Sequence, residues 1–468
     1  FLQLHVFPVA LQSDGARFGH KYFDPGVFVL ISFSDLQTFT TVAVGDVALA
    51  ALGHDYLNTT VEVETVACLG RHVAYPHVDY SFSESYRTES HFFLPRAQLS
   101  SENVSMQTAL VIGGTGPTGP YVVNGLLDRG FRVTIAHTGQ HETSLIGPEV
   151  EHIHTDPFDI ERTDTDLGVR TFDLAVVMYG RLRDLARLLQ GRVSHFVSIG
   201  GVGVYRGFAN PDDLFPIGMP VPLPYESDLV GNDEFFGKLR RIRETEEVVF
   251  STHPTAIHLR YPQLYGPRQL LPREWPIVRR ALDRRPFLIV PDGGLTVKSQ
   301  AWVENAAHAT LLACDRPDAA IGNIYNVADQ QLFSVRQIAE IVANELEHEW
   351  EIVSLPYQVA PSTRPMLTSW SSSHRILDIG PTIRDLGYSD LVNPSTAWRL
   401  ATRWLADNPI ERGGEVEHRL DDPFEYASED RQYEIWQRCQ QELSVVEWSE
   451  EPGYSSAYVG RNPNPARS

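Results

Sequence analysis

Cysteine is scarce in this 468-residue chain: Cys68, Cys314 and Cys439 are scattered and odd in number, which argues against a disulfide framework or a thiol-rich metal site. Positive charge is short as well. Lys and Arg number 39 against 60 Asp and Glu, and the formal net charge of −21 opposes broad electrostatic binding to nucleic acid or an anionic membrane. No apolar run is long enough to cross a bilayer, and no secretory leader is read at the start. A reducing, cytoplasmic setting is therefore expected, with Asn58-Thr-Thr60 and Asn103-Val-Ser105 as chance matches to the glycosylation pattern. Internal repeats are absent too. What remains, 42% hydrophobic and 21% charged residues, is the composition of a globular protein with room for two or three domains.

The most informative stretch is Thr108-Ala-Leu-Val-Ile-Gly-Gly-Thr-Gly-Pro-Thr-Gly119. Ala109 to Ile112 predicts a buried strand, and Tyr121 to Leu127 sets Val122, Val123, Leu126 and Leu127 on one face of a helix. Between them stand Gly113, Gly116 and Gly119, three residues apart. A strand entering a helix through such a turn gathers free backbone N–H groups at the positive helix end, where a pyrophosphate fits and a side chain would hold it off. Arg129-Gly-Phe-Arg-Val-Thr-Ile-Ala136 supplies the next strand, so the context is that of a dinucleotide site. Gly113, Thr115, Gly116, Pro117, Thr118 and Gly119 are the expected cofactor cradle.

Three regions are expected. Residues 1–105 form a small β-rich domain of unknown type, with Phe28-Val-Leu-Ile-Ser-Phe, Thr60-Val-Glu-Val-Glu-Thr-Val and Val73 to Phe82 as strand candidates. Residues 106–408 alternate strands with helices, which predicts an α/β, doubly wound parallel sheet of Rossmann type with a small C-terminal substrate lobe. Strand candidates are Val150 to His154, Phe172 to Met178, His195 to Ile199 and Thr255 to Leu259; helix candidates are Asn232 to Val249 and Ser334 to Leu346. Residues 409–468 are an acidic, aromatic extension with a helix over Asp430 to Leu443 and a polar arm at its end.

Residues Thr108 to Asn408 resemble the extended short-chain dehydrogenase/reductases, which include nucleotide-sugar epimerases and dehydratases. The resemblance rests on the glycine turn and on Phe196-Val-Ser-Ile-Gly-Gly-Val-Gly-Val-Tyr205. Leu259-Arg-Tyr-Pro-Gln-Leu-Tyr-Gly-Pro267, Trp302 to His308, Asn323 to Asp329 and Leu386-Gly-Tyr388 extend it. It implies an NAD(P)-dependent reductase or epimerase acting on a small carbonyl or alcohol compound. Hydride transfer in that superfamily uses a Tyr acidified by a Lys four residues later, with a Ser or Thr orienting the carbonyl. Lys238 is well placed, but Glu234 stands where the Tyr is expected and Gly201 where the Ser or Thr is expected. The active site is thus atypical. Its candidates are Lys238, Glu234, the nearby Ser198, and Tyr205 as a relocated proton donor; an ordinary i, i+4 ion pair is the plain reading of Glu234 and Lys238. Tyr225, Tyr261 and Tyr265 are further donors to consider.

The second strand ends in Ala136-His-Thr-Gly-Gln140 without the carboxylate that accepts a ribose 2′-hydroxyl in NAD-binding relatives. His137 and Thr138 there favour NADP, with NAD as the alternative, although no Arg clamps a 2′-phosphate. Asp156 meets either the adenine amine or only its own turn, and Pro262 borders the nicotinamide. Tyr265, Arg268 and Trp302 are expected to face the substrate. No metal site is expected: His152-x-His154 falls on a strand taken to lie inside the sheet, where structural histidines are the plainer reading. Arg279-Arg-Ala-Leu-Asp-Arg-Arg285 reads as a solvated helix face or a contact for an anionic substrate.

Two rival functions stay open. One is a non-redox nucleotide sensor or RNA-binding protein, since Phe236-Gly-Lys-Leu239 and the missing Tyr are similar to the chloroplast stem-loop-binding proteins. The other is a bifunctional enzyme with a separate N-terminal activity. The sequence leaves the oligomeric state open, although the resemblance implies a homodimer as one assembly, since relatives often pair through helices.

Overall fold

The computed structural model describes residues 3–7, 28–32, 40–43, 48–49, 106–178, 181–209, 211–231, 237–450 and 452–453. The chain divides into two compact units, Phe1–Ala97 and Gln98–Ser468. In the first, β1 (Gln3–Phe7), β2 (Phe28–Ser32), β3 (Thr40–Ala43) and β4 (Ala48–Leu49) pair antiparallel in sequence order. The strands expected over Thr60 to Val66 and Val73 to Phe82 lie outside the described residues.

The second unit is built on seven parallel strands. These are β5 (Thr108–Ile112), β6 (Arg132–His137), β7 (Glu151–His154), β8 (Phe172–Met178), β9 (Val193–Gly201), β10 (Ile257–Tyr261) and, after three lobe strands, β14 (Ile324–Asn326). Their order is β14-β10-β9-β8-β5-β6-β7. It reverses between β5 and β8, and open α/β sheets bind ligands at the carboxyl ends of strands beside such a reversal. Apolar side chains fill both faces because helices cover both. On one face, α1 (Gly119–Asp128) packs Val122, Val123 and Leu126 against Val111, Val133 and Ile135, alongside α6 (Val303–Cys314). On the other, α2 (Ile160–Leu167), α3 (Leu182–Leu188) and α4 (Gly237–Thr252) cover Leu110, Ile112, Ala175 and Val177. Each fully buried Val or Leu in these layers contributes about 1.5–3 kcal/mol.

The remaining elements form the lobe. They are β11 (Gln263–Tyr265) paired with β13 (Gln300–Trp302), β12 (Phe287–Pro291) paired with β15 (Glu351–Leu355), and the helices α5 (Trp275–Leu282), α7 (Val335–Glu345), α8 (Arg364–Leu367) and α10 (Pro394–Asp407), whereas α9 (Gly380–Leu386) packs against α6 and β14 of the sheet. Helix α7 starts on a full capping box: the Ser334 hydroxyl accepts from the Gln337 amide while the Gln337 side chain accepts from the Ser334 amide. Helices α11 (Glu415–His418) and α12 (Tyr426–Ser444) complete the chain's described course.

Two expectations change here. Strand β7 is the outer edge of the sheet, not an interior strand, and His152 and His154 are exposed. The Arg279–Arg285 cluster is neither a solvated face nor a substrate contact. Arg280 is almost fully buried, holding Asp422 at 2.7 Å and 3.2 Å and pairing with Glu429, while Arg279 pairs with Glu417 and Arg285 with Asp430. Its anionic partner is the chain's own acidic extension.

Candidate functional site

The turn between β5 and α1 sits at the sheet's reversal, and its glycines have different reasons to be glycine. Gly113 has φ +92°, and a Cβ there would lie 2.5 Å from the Met178 carbonyl oxygen. At Gly119 a Cβ would lie 2.1 Å from the Gly114 oxygen. Both are required by the fold itself. Gly116 is not: its φ is ordinary, and the nearest atom to an added Cβ is the Gly113 oxygen at an unstrained 3.5 Å. No protein atom needs the space in front of Gly116.

The turn closes through Gly116 N–H to Gly113 O (3.2 Å) and Gly119 N–H to Gly116 O (3.0 Å). The Thr115 and Thr118 amides donate to no partner among the described residues, and Thr118 caps α1 without a side-chain bond. These free donors, together with the helix end, form an anion-binding concavity. Beside it, the Arg268 guanidinium lies 5.6 Å from the Tyr121 ring centre, with φ +60° at its backbone. Its buried Nε and Nη2 have no hydrogen-bond partner, and the neighbouring Gln269 Nε2 is likewise unpaired. Unpaired buried donors carry a free-energy cost unless a ligand satisfies them.

At the end of β6, His137 is buried; its Nδ1 accepts from the Gly139 amide at 3.2 Å and its Nε2 lies 3.0 Å from His152 Nδ1. Burial lowers the His137 pKa, and His152 and His154 lower it further. Thr138 is exposed, with its hydroxyl accepting from Gln140 N–H at 3.4 Å. Asp156 accepts from the Phe158 amide at 2.9 Å, which is the turn-forming role. Pro262 is buried between β10 and β11.

Among the described residues, the catalytic candidates divide between a buried cluster and an exposed lysine. Lys238 is exposed in the first turn of α4, while Glu234 lies outside the described residues. Ser198 is fully buried and bonded to His258 Nδ1 at 2.8 Å. His258 also requires a glycine at Gly200, where a Cβ would stand 2.5 Å from its Nε2. That imidazole lies 3.4 Å from Glu246, off-line for a hydrogen bond, and Arg260 grips the same carboxylate at 2.8 Å and 2.7 Å. Burial pushes the Glu246 pKa up, but the hydrogen bonds of Arg260 and the proximity of Arg260 and His258 outweigh it and bring it down to about 2. Tyr205 is fully buried; its hydroxyl donates to Asn326 Oδ1 at 2.8 Å, its ring faces Arg260, and burial raises its pKa. It is occupied as a structural group, not poised as a donor. Tyr261 is similarly enclosed, donating to the Ala306 carbonyl at 2.7 Å.

Two expected substrate contacts are core. Tyr265 stacks on Trp398 at 4.3 Å and donates to Asp329 at 2.7 Å; Trp302 is buried against Gly266 and gives its backbone N–H to the same carboxylate at 3.1 Å. Burial raises Asp329 to about 6 despite the donors of Asn305, Tyr265 and Trp302. Arg268 alone of the three presents unsatisfied polar atoms of a charged group. Sequence reading missed Glu274, buried at the start of α5: its Oε1 accepts from Gly266 N–H at 3.0 Å, its Oε2 is unpaired, and burial raises it to about 7. It also missed Glu142, which lies 3.0 Å from His154 Nε2. A His-x-His strand beside a strand ending in His was the available signal.

No family model matches the chain. Over 173 residues it is 25% identical to the uncharacterized protein YbjS of Escherichia coli K12, covering 32% of this chain and 50% of that one. Over 144 residues it is 30% identical to UDP-D-apiose/UDP-D-xylose synthase 2 of Arabidopsis thaliana, covering 30% and 36%. The chain thus spans half or less of the length of these curated relatives. Among solved structures, the epimerase Mth375 of Methanothermobacter thermautotrophicus superposes with TM-score 0.52 at 16% identity over 65% of this chain and 93% of that one. The Bordetella bronchiseptica enzyme WbmH, solved with NAD+, gives 0.51 at 15% identity over 65% and 100%. The chain has the fold of these solved structures. No helix among the described residues is long and apolar enough to cross a membrane.

Proposed function

We propose that residues 106–408 bind a nicotinamide dinucleotide along the Gly113–Gly119 turn and act as an atypical reductase or epimerase on a carbonyl or alcohol substrate. The carrying observation is Gly116, a glycine whose missing side chain serves no contact within the protein. The free Thr115 and Thr118 amides and the end of α1 receive the pyrophosphate, with Pro117 fixing the turn. When bound, the nicotinamide supplies hydride transfer.

The unpaired Arg268 donors point to a substrate that carries an anionic group. A nucleotide-linked sugar meets that demand, and the relatives named for UDP-sugars and epimerisation support this class. Lys238 holds the ribose hydroxyls as an exposed cation, and Glu234 exchanges the substrate proton in place of the absent Tyr. Strand β6 ends at His137 and Thr138 without a carboxylate of its own, so NADP is proposed beside NAD, with Glu142 within 4.8 Å of His137 as the group a 2′-phosphate would have to displace; a homodimer is the proposed assembly. The acidic balance disfavours the RNA-binding alternative.

The test is turnover. Full-length protein with NADP or NAD is offered UDP-sugars and a panel of small carbonyl and alcohol compounds, and interconversion or cofactor reduction is followed. Turnover that is lost in Arg268→Ala supports the reading. Dinucleotide binding without turnover of any of these leaves the nucleotide sensor as the better account.

A further inference from the structure

Three imidazoles and a carboxylate meet at the outer edge of the sheet. His137 ends β6, His152 and His154 stand two residues apart on the same side of β7, and Glu142 comes from the loop between these strands. Parallel pairing sets Ile135 opposite His152 and His137 opposite His154, which brings the three rings onto one face. Ring centres are 5.1, 5.0 and 6.2 Å apart, all edge-on. One donor atom from each of the four residues lies within 4.8 Å of the others, and the closest pairs, His137–His152 and His154–Glu142, are already at 3.0 Å.

We propose that His137, Glu142, His152 and His154 bind a divalent transition-metal ion of the zinc type. Three nitrogens and one carboxylate oxygen are a ligand set that such ions accept in tetrahedral geometry, where metal–ligand bonds of about 2.0–2.1 Å hold donors roughly 3.3 Å apart. The widest pair therefore closes by about 1.5 Å, a side-chain movement open to exposed Glu142, His152 and His154 around the buried His137.

Its tautomer must change. Nδ1 now accepts from Gly139 N–H, so in the neutral ring the proton is on Nε2, facing His152. Ligation through Nε2 moves that proton to Nδ1 and releases the Gly139 amide, which sits in a loop with φ +79° and no Cβ to crowd His154. The site uses none of the turn glycines but shares His137 with the ribose end proposed for the dinucleotide, so its test is run without nucleotide.

Full-length protein, stripped with a chelator and free of nucleotide, is titrated with zinc chloride by calorimetry and with cobalt(II) chloride by visible absorption. One ion per chain and the bands of four-coordinate cobalt are expected. In the double variant His152→Ala, His154→Ala, affinity falls on the order of a hundredfold or more, with the chelated variant melting at the same temperature as the chelated parent. Both substitutions lie on an exposed edge, so the fold tolerates them; Glu142→Gln, on the loop, repeats the test and weakens binding without touching the strand. No saturable binding at micromolar metal, or undiminished affinity in both variants, overturns the proposal.

Discussion

Arg280→Met tests how the acidic extension is held. The guanidinium makes two bonds to Asp422, pairs with Glu429, and donates to the Pro276 carbonyl at 2.8 Å, all within a few per cent of full burial. Methionine keeps much of the stem's volume but leaves Asp422 and Glu429 buried without their cation. Removing one partner of a buried ion pair costs about 3–5 kcal/mol. The two carboxylates have other donors only in part: Asp422 keeps the Phe424 amide at 2.9 Å, while Glu429 keeps Arg285 at 4.0 Å. The loss therefore belongs near the upper half of that range. Hydrogen exchange of the α12 amides is the assay, because it reads local opening without requiring the whole chain to unfold as one unit. Exchange that reports this loss accelerates by roughly 10³-fold or more, at a factor of ten per 1.4 kcal/mol. Adding Asp422→Asn and Glu429→Gln to Arg280→Met restores much of the protection, since no buried charge is then left alone. Acceleration below about fivefold, or no recovery in the triple variant, refutes the reasoning and assigns the cluster the small energies of surface pairs.

Three further outcomes follow from buried polar groups. Glu246, at about 2 when folded against 4.5 unfolded, contributes stability that is complete above pH 4.5 and is lost as pH falls toward 2; at about 1.4 kcal/mol per unit this is roughly 3 kcal/mol, and acid denaturation of Glu246→Gln shows a flatter slope across that window. Glu274 works with the opposite sign: raised to about 7 from 4.5, it is least costly below pH 4.5 and its penalty accumulates as pH rises through 7, so Glu274→Gln gains stability relative to the parent in melting scans between pH 5 and 8. Tyr205→Phe leaves Asn326 Oδ1 without its donor and lowers stability by about 1–3 kcal/mol, while dinucleotide affinity in fluorescence titration stays at the parent value; a lost affinity contradicts its structural role.

Local pattern carried the sequence reading where local pattern decides. The expected strand Phe172 to Met178 coincides with β8 because a run of apolar residues ends at polar neighbours, and Ser334 with Gln337 marks the start of α7 by its own capping chemistry. The glycine turn was legible because strand, turn and helix are consecutive. Facts set by distant pairing were not. Whether β7 is inside or at the edge depends on which strands join β6, and a strand of only 4 residues carries little trace of its neighbours. Arg280 and Glu429 are 149 positions apart, so a basic cluster on a helix could not reveal that its partner is the acidic tail. Tyr265 and Trp302 looked like pocket residues by resemblance, but Asp329 and Trp398 draw them into the lobe's core.

The central claim is that the turn exists to receive a dinucleotide, and Gly116 isolates it from folding. Gly113→Ala strains a positive φ and meets Met178, so its loss of binding is confounded by instability of about 1–3 kcal/mol. Gly116→Val sets its Cβ at an ordinary contact distance, 3.5 Å, from the Gly113 oxygen. Fluorescence titration with NADPH and NADH, paired with thermal melting of the same samples, is the direct measurement. The account predicts saturable binding by the parent of at least one cofactor, weakened about tenfold or more in Gly116→Val at an unchanged melting temperature. Equal affinity in parent and variant, or a parent that binds neither cofactor, contradicts it.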